Sequence, residues 1–257
     1  MMNEQLIKKL QHAEHVVVFT GAGISAESGI PTFRDALSGL WKNFNANELA
    51  CVEAYKRNPP LVWGWYEMRR RDVLNAQPNA AHKTIAQLAK KVKKMTVITQ
   101  NVDDLHERGG SVEATHLHGS LHHPRCLVCS EPYMFETETA PQIVADEYID
   151  PPKCLTCGNP VRPGVVWFGE SLPVKEWESA QFAAADCDVM LVVGTSGLVS
   201  PAADLPFRAK CNNALVVQIN MAKTELDRYC DDNLIGRAAD LLPAIYQCAF
   251  NESIDLT

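Results

Sequence analysis

Four cysteines of the chain occur as two Cys-x-x-Cys pairs, a spacing that suits a metal ion. The pairs are Cys126 with Cys129 and Cys154 with Cys157. Each pair can direct two thiolates at one ion, and four thiolates complete the tetrahedral coordination of zinc. Because such a site leaves no position open for water or substrate, the pattern predicts one structural zinc ion. A redox-active Cys-x-x-Cys is the alternative.

A glycine-rich turn follows the first β-branched run of the chain, residues 16–20. Gly21, Gly23 and Ala26 form a G-x-G-x-x-A pattern, in which the backbone can approach a pyrophosphate closely. An ordinary strand-to-helix turn is the alternative interpretation.

The residues after this turn disfavour an immediate regular helix. Gly29 and Pro31 both interrupt a helical pattern. We therefore expect a loop that carries Phe33 and Arg34 to fold over a bound cofactor.

Amide and carboxylate side chains follow the apolar run 95–99, namely Gln100, Asn101 and Asp103. Open α/β folds bind ligands at the carboxyl ends of their strands. Groups of this kind can hold a ribose or a carboxamide through hydrogen bonds. Helix capping by Asn101 or Asp103 is the alternative.

His118 ends another predicted strand and is the candidate general base. An unperturbed histidine has a pKa of about 6.5, so it can accept a proton near neutral pH. His116 lies two residues earlier on the same face of the strand and is the rival for this role.

Small polar residues follow two further apolar runs. Gly194, Thr195 and Ser196 come after one run, and Asn220 ends the next. Hydroxyl and backbone N–H groups at such positions suit phosphate and ribose contacts. A simple turn explains each residue singly, and it is their convergence on one sheet edge that favours a site.

The elements that position these residues alternate between strands and helices. Nearly continuous apolar runs predict buried parallel strands at residues 16–20, 95–99, 112–117, 165–168, 189–193 and 215–220. Helical patterns lie between them, including 80–90 and 174–185, and Leu6, Ile7 and Leu10 predict a short amphipathic helix at the start. The predicted fold class is α/β with a doubly wound parallel sheet.

Two segments interrupt this alternation. Residues 36–76 are rich in helix formers and aromatic residues, and residues 121–163 hold the cysteine pairs and many turn residues. We expect the two insertions to form a second, smaller domain. Residues 1–35, 77–120 and 164–257 then belong to the sheet domain.

Composition excludes several classes of function. The 257 residues are 46% hydrophobic and 21% charged, with a net charge of −7, which argues against a nucleic-acid partner. No apolar run reaches the length of a membrane span, and the first residues lack the pattern of a secretory signal. We therefore expect a cytoplasmic protein whose nine cysteines are thiols or metal ligands.

Several motifs occur together and in a fixed order. They are Gly21-Ala22-Gly23-Ile24-Ser25-Ala26-Glu27-Ser28-Gly29-Ile30-Pro31-Thr32-Phe33-Arg34, Thr99-Gln100-Asn101-Val102-Asp103, Leu117-His118-Gly119, Arg162-Pro163-Gly164-Val165-Val166-Trp167-Phe168-Gly169-Glu170, Val193-Gly194-Thr195-Ser196 and the two cysteine pairs. Together they resemble the sirtuins, a family of NAD-dependent protein lysine deacylases. The resemblance spans residues 16–243 and looks like the compact prokaryotic form.

The resemblance implies a Rossmann-like domain, a smaller domain made of a zinc module and a helical insertion, and NAD in the cleft between them. It implies that the acyl-lysine amide oxygen attacks the nicotinamide ribose, which releases nicotinamide and yields free lysine and 2′-O-acyl-ADP-ribose. His118 is implied as the base, Asn101 and Asp103 as the groups that position the nicotinamide ribose and carboxamide, and Phe33 as a screen against water. The implied NAD contacts are Gly21, Ala22, Gly23, Ala26, Glu27, Phe33, Arg34, Gln100, Asn101, Asp103, Gly194, Thr195, Ser196, Asn220 and Ala238.

A further pair of residues indicates which class of acyl group the protein is expected to remove. Tyr66 and Arg69 are three residues apart, so on a helix they share one face. A guanidinium and a phenol suit a carboxylate at the end of an acyl chain. The pair, with the small Ala46, resembles the class III sirtuins, which remove succinyl, malonyl and glutaryl groups. A solvated basic face at residues 69–71 is the alternative.

Other functions remain open at this point. A general deacetylase, a protein ADP-ribosyltransferase and a non-catalytic NAD-binding module would use much of the same scaffold. Acyl-lysine proteins are the expected partners, because sirtuins of this kind bind peptides largely through backbone strand pairing. The oligomeric state and the order of preference among acidic acyl groups are left undecided.

Overall fold

Six parallel strands form the central sheet of the computed structural model, which describes residues 4–32, 49–135 and 148–252. In spatial order they are β3 (Ala114–His116), β2 (Met95–Thr99), β1 (Val16–Thr20), β6 (Val189–Val193), β7 (Leu215–Asn220) and β8 (Asp232–Ile235). From β1 the strands are added towards one edge of the sheet, through β2 to β3, and from β6 they are added towards the other edge, through β7 to β8. The order of the strands therefore reverses between the neighbours β1 and β6. Ligands of open α/β sheets bind at such a switch point. The predicted fold class is confirmed.

Eight α-helices lie within the described ranges. They are α1 (Glu4–His12), α2 (Val52–Arg57), α3 (Pro59–Asn75), α4 (Ala80–Leu88), α5 (Leu105–Arg108), α6 (Val174–Asp186), α7 (Leu205–Cys211) and α8 (Ala238–Phe250). None of these helices is both long enough and apolar enough to cross a membrane.

The core lies on both faces of the sheet because every residue of β1 is buried. Val16 and Val18 face a cluster that includes residues of α1, α4 and α8. Val17 and Phe19 face the opposite cluster, which includes residues of α6 and α7. Alternate residues of a strand point to opposite faces, so a strand covered on both sides is apolar throughout.

A third cluster of buried residues joins α2 and α3 to a small antiparallel sheet of β4 (Arg125–Cys126) and β5 (Val161–Arg162). Its largest fully buried side chains, each less than 2% exposed, are those of Tyr55, Trp65 and Trp167. Helix α3 begins where Asn58 Oδ1 accepts the backbone N–H of Leu61 at 3.2 Å, and prolines fill its first two positions. The division into two domains stays a prediction.

Two details of the predicted strands are wrong. Residues 165–168 form no strand, because Val165 and Phe168 make single bridges to two different partners, Gly119 and Cys51. The strand predicted at 112–117 is shortened to β3, since Val112 is fully exposed. The helices predicted at 80–90 and 174–185 are confirmed with shifts of one or two residues at their ends.

Candidate active site

The carboxyl ends of β1, β2 and β6 lie side by side. Thr20, the last residue of β1, is level with Thr99 of β2 and with Val193 of β6. Its backbone carbonyl accepts the N–H of Gln100 at 3.0 Å. The loops that follow the three strands therefore start from one edge of the sheet.

Two of these loops touch through their glycines. The N–H of Gly23 donates to the carbonyl of Gly194 at 2.8 Å. A Cβ on Gly23 would lie 2.8 Å from Gly194 Cα, and one on Gly194, whose φ is +64°, would lie 2.4 Å from the nitrogen of Ile24. A Cβ on Gly21 would come equally close to Thr195. Only glycines allow this approach, which leaves bare backbone at the switch point.

Short 3₁₀ turns, Ala22–Ile24 and Ala26–Ser28, follow Gly21 in place of a regular helix. The expectation that no regular helix starts directly after this turn is confirmed for the described residues. Phe33 and Arg34, expected to cover the cofactor, lie outside the described residues, and so does Ala46.

Ser25 joins the two polar side chains of the loop after β2. Its Oγ donates to Asp103 Oδ2 at 3.0 Å and accepts from Asn101 Nδ2 at 3.1 Å. The other Asp103 oxygen accepts the backbone N–H of Leu105 at 3.1 Å. All three polar side chains are buried. Burial raises the pKa of Asp103, although the bonds from Leu105 and Ser25 oppose that change.

The structure assigns the tautomer of His118. Its Nδ1 lies 3.0 Å from the backbone carbonyl oxygen of Gln100. Because a carbonyl oxygen only accepts, Nδ1 carries the proton and Nε2 keeps a lone pair. Burial lowers the pKa of His118, and the bond to Gln100 opposes this. The imidazole is therefore neutral at neutral pH and can accept a proton at Nε2.

His116 has both ring nitrogens engaged. Nδ1 donates to the carbonyl oxygen of Asn101 at 3.1 Å, and Nε2 donates to Glu107 Oε1 at 3.0 Å. Burial alone would lower the pKa of His116, but the carboxylate of Glu107 raises it above the ordinary value. Because both ring nitrogens face protein acceptors, His116 presents no lone pair to a substrate, and the geometry favours His118 as the base.

The remaining predicted NAD contacts also gather at this edge. Gln100 Nε2 donates to Thr195 Oγ1 at 2.8 Å, and Asn220 Nδ2 donates to the carbonyl of Thr195 at 2.7 Å. Glu27 accepts the N–H of Ala239 at 3.1 Å in the first turn of α8. The half-buried Ala22, the exposed Ala26 and Ser196, and the buried Ala238 lie on the same loops and helix start.

Tyr66 and Arg69 share one face of α3, as predicted. Tyr66 is buried, and Arg69 Cζ lies 5.7 Å from the centroid of its ring. Burial raises the pKa of Tyr66 to about 12, so the hydroxyl keeps its proton at neutral pH. Burial also lowers the pKa of Arg69, while the charges of Tyr66 and Asp103 oppose this. Helix α3 packs beside the segment that follows β2, since Arg108 Nη1 of α5 donates to the carbonyl of Val73 at 3.1 Å.

The other two arginines of the run have structural partners. Arg70 is 5% exposed, and its Nη2 lies 2.9 Å from Glu67 Oε2 on the preceding turn. Arg71 Nη2 lies 2.8 Å from Asp72 Oδ1. None of the three arginines is exposed, so the alternative of a solvated basic face is wrong.

The four paired cysteines form a cluster that fits one metal ion. Their sulfur atoms all lie within 4.8 Å of one another. The Sγ atoms of Cys126 and Cys157 are 3.4 Å apart, and those of Cys129 and Cys154 are 3.6 Å apart. Four sulfurs at the usual Zn–S distance are roughly 3.8 Å apart in a tetrahedron. The donor set therefore suits a structural zinc ion.

Comparison with known proteins places the chain in one family. The profile of the Sir2 family matches residues 21–201. The chain therefore belongs to the Sir2 family, as the resemblance to sirtuins predicted.

Individual relatives cover almost the whole chain. NAD-dependent protein deacylase of Methylococcus capsulatus is 53% identical over 95% of this chain and 96% of its own length. NAD-dependent protein deacylase 1 of Pseudomonas aeruginosa is 48% identical over 95% of this chain and 98% of its own.

Solved structures of Sir2 homologues, two of them bound to a nucleotide, also match the chain. A complex of a Sir2 homologue with NAD has a TM-score of 0.89 at 43% identity and covers 98% of this chain and 95% of its own. A mutant Sir2 homologue bound to 2′-O-acetyl-ADP-ribose has a TM-score of 0.89 at 42% identity, with 97% of each chain covered.

Sequence reasoning missed two residues that hold the predicted groups. Ser25 links Asn101 to Asp103, and Trp167 donates its indole N–H to the hydroxyl of Tyr66 at 3.1 Å. Both belong to motifs that carried the family resemblance. The bonding partners of Ser25 and Trp167 lie far away in the sequence, so no local pattern identifies these contacts.

Proposed function

We propose that this protein removes acyl groups from lysine side chains of proteins, with NAD as co-substrate, and that it prefers acyl groups ending in a carboxylate. The observation that carries the preference is the pairing of the buried Tyr66 with the half-buried Arg69 on α3. This helix packs beside the segment that bears Asp103, since Arg108 Nη1 donates to the carbonyl of Val73 at 3.1 Å. Relatives named NAD-dependent protein deacylase support the reaction class.

NAD supplies the electrophilic ribose carbon to which the acyl oxygen is transferred when nicotinamide leaves. The carboxyl edge of the sheet is suited to this co-substrate, because Gly21, Gly23 and Gly194 expose backbone where the pyrophosphate would lie. Asn101 and Asp103, which Ser25 holds in place, are positioned to orient the nicotinamide end.

His118 is proposed as the general base. The Gln100 carbonyl holds Nδ1–H, so Nε2 accepts the proton of a ribose hydroxyl and leaves that oxygen free to attack the acyl carbon. Its lowered pKa keeps the ring unprotonated over the neutral range. This role does not depend on the identity of the acyl group.

Tyr66 and Arg69 are proposed to bind the acyl carboxylate. A half-buried guanidinium whose pKa is lowered by burial gains from an anionic partner. The phenol hydroxyl, protonated at neutral pH, adds a neutral donor. Charge-assisted bonds of this kind are the stronger class in a partly desolvated site.

Proteins that carry acylated lysine are proposed as the substrates because of a similar solved structure. A Sir2 structure with a p53 peptide and NAD matches this chain at 27% identity with a TM-score of 0.81.

The cytoplasm is proposed as the compartment of this protein and stays a prediction. All nine cysteines are free thiols, which fits a reducing compartment.

A peptide panel tests the proposed function. The protein is incubated with NAD and one lysine peptide that carries a succinyl, malonyl, glutaryl or acetyl group, with the unacylated peptide as control. We expect nicotinamide release only with acylated peptides, 2′-O-acyl-ADP-ribose as product, and higher kcat/KM for the acidic groups. A higher value for acetyl would mean a general deacetylase. ADP-ribose that stays on protein would mean a transferase, and no nicotinamide release would leave only binding.

A further inference from the structure

Trp167 is buried against the acyl-recognition helix. It is 1% exposed, and its indole Nε1–H donates to the Tyr66 hydroxyl oxygen at 3.1 Å. The indole nitrogen is a donor only, so the direction of this bond is fixed. The Tyr66 oxygen must accept from Trp167, and its own proton must serve another acceptor.

This bond selects the direction of the Tyr66 proton. A phenol O–H prefers the plane of its ring, with two orientations, and a donor on one side of the oxygen favours the proton on the other. A hydroxyl that accepts a bond also becomes a better donor. Burial keeps the Tyr66 hydroxyl protonated, so this donor persists across the neutral range.

Trp167 is itself fixed by three neighbours, two of which contact its ring and one its backbone N–H. Arg162 Cζ stacks 3.6 Å from the centroid of the Trp167 ring. Glu170 Oε2 accepts both the backbone N–H of Trp167 and Arg162 Nη2, each at 2.8 Å. The ring of Tyr55 packs on it with centroids 5.2 Å apart. A side chain braced in this way can hold its partner in a single orientation.

We propose that Trp167 is a positioning residue for acyl specificity, which orients the Tyr66 hydroxyl so that its proton points to the carboxylate of an acidic acyl group. This inference rests on the proposed preference for such groups. An acetyl group has no carboxylate to accept the proton, so Trp167 should influence desuccinylation more than deacetylation.

A double-mutant cycle tests the inference. The kcat/KM values for succinyl-lysine and acetyl-lysine peptides are measured for the wild type, Trp167→Phe, Tyr66→Phe and the double variant. Trp167→Phe should lower the succinyl-to-acetyl ratio about fivefold, the equivalent of one neutral hydrogen bond, mainly through KM. Tyr66→Phe should lower it about 20-fold, since it removes a bond to a charged group. The double variant should match Tyr66→Phe, because Trp167 acts through that hydroxyl.

The matched control is Trp63→Phe. Trp63 is 3% exposed and belongs to the same core cluster, so this variant reports the loss of aromatic packing alone. We expect its succinyl-to-acetyl ratio to equal that of the wild type.

Two results would overturn the inference. One is an unchanged ratio in Trp167→Phe, and the other is a fivefold effect of Trp167→Phe that persists in the Tyr66→Phe background. If Tyr66→Phe is selective while Trp167→Phe is not, only the inference fails. If the wild type shows no acidic preference and Tyr66→Phe leaves the ratio unchanged, the proposed function fails with it.

Should Trp167→Phe not fold, the wild type still reports on the bond. Of the five tryptophan indole N–H signals in a ¹⁵N–¹H spectrum, that of Trp167 is expected to shift most in Tyr66→Phe. In the wild type with NAD, this signal should move more with a succinyl-lysine peptide than with an acetyl-lysine peptide. Equal movement with both peptides would contradict the inference.

Discussion

The proposed base at the sheet edge and the α3 face that carries Tyr66 and Arg69 are held in different ways. The base is held by a backbone group, since the Gln100 carbonyl accepts from His118. On the α3 face, one side chain holds another, as Trp167 holds Tyr66. A backbone partner survives most substitutions, whereas a side-chain partner changes with every one. Under the proposed function, the step common to all acyl groups takes place at the sheet edge, and the choice among acyl groups falls to the α3 face.

Loss of the metal should have the largest effect, because the sheet of β4 and β5 shares a buried cluster with α3. Cys154→Ser removes one of four thiolates, and structural zinc sites contribute on the order of 10 kcal/mol to folding. We expect the variant to lose zinc, to unfold around β4 and β5, and to lose all deacylation. Metal analysis and circular dichroism measure this, with the exposed Cys211→Ser as control. A folded, active preparation of the wild type that contains no zinc would contradict the structural site.

Substitution of the proposed base should abolish the reaction for every acyl group alike. His118→Tyr removes the Nε2 lone pair, and general bases contribute roughly 10²- to 10⁴-fold. We expect desuccinylation and deacetylation to fall together to background. The melting temperature measured without NAD should equal that of the wild type. His12→Gln, on the exposed end of α1, should keep both activities. Loss of only one activity would assign His118 to selection.

Strands buried on both faces could be predicted from the sequence with correct bounds. The runs 16–20 and 189–193 match β1 and β6 because a strand with two covered faces is apolar from its first residue to its last. The edge strand β8 was not found, since Asp232–Ile235 is half exposed and contains two polar residues. An apolar run also cannot show whether its backbone pairs with one partner, which explains the wrong strand at 165–168.

The same distinction applies to the site. Gln100 and His118 could be placed because each follows or ends a recognisable strand. The partners of Tyr66 and Asn101 could not, because Trp167 is 101 residues from Tyr66 and Ser25 is 76 residues from Asn101. Contacts across such separations are set by packing, which local patterns do not encode.

Acid should lower the free energy of unfolding through the buried His82 of α4. Burial lowers the pKa of His82 to about 4, while the unfolded chain has a histidine pKa of about 6.5. As pH falls from about 6.5 to 4, the unfolded state binds a proton that the folded state does not. The free energy of unfolding should therefore fall by about 1.4 kcal/mol per pH unit, or about 3 kcal/mol in all.

Denaturant titrations at several pH values measure this slope. His82→Gln should reduce the slope over the same window, whereas the exposed His12→Gln should leave it as in the wild type. Equal slopes in His82→Gln and the wild type would show that the buried imidazole does not govern the acid response.

The proposed division between a catalytic sheet edge and a selective face of α3 is tested most directly by Arg69→Met, with Arg71→Met as the matched control on the same helix. Removal of a partly buried charge pair costs roughly 2 to 5 kcal/mol. We expect Arg69→Met to lower kcat/KM for a succinyl-lysine peptide on the order of 30-fold or more. Deacetylation should change far less, and Arg71→Met should leave the succinyl-to-acetyl ratio as in the wild type. Equal loss of both activities in Arg69→Met would mean that this arginine is structural, and the preference for acidic acyl groups would be contradicted.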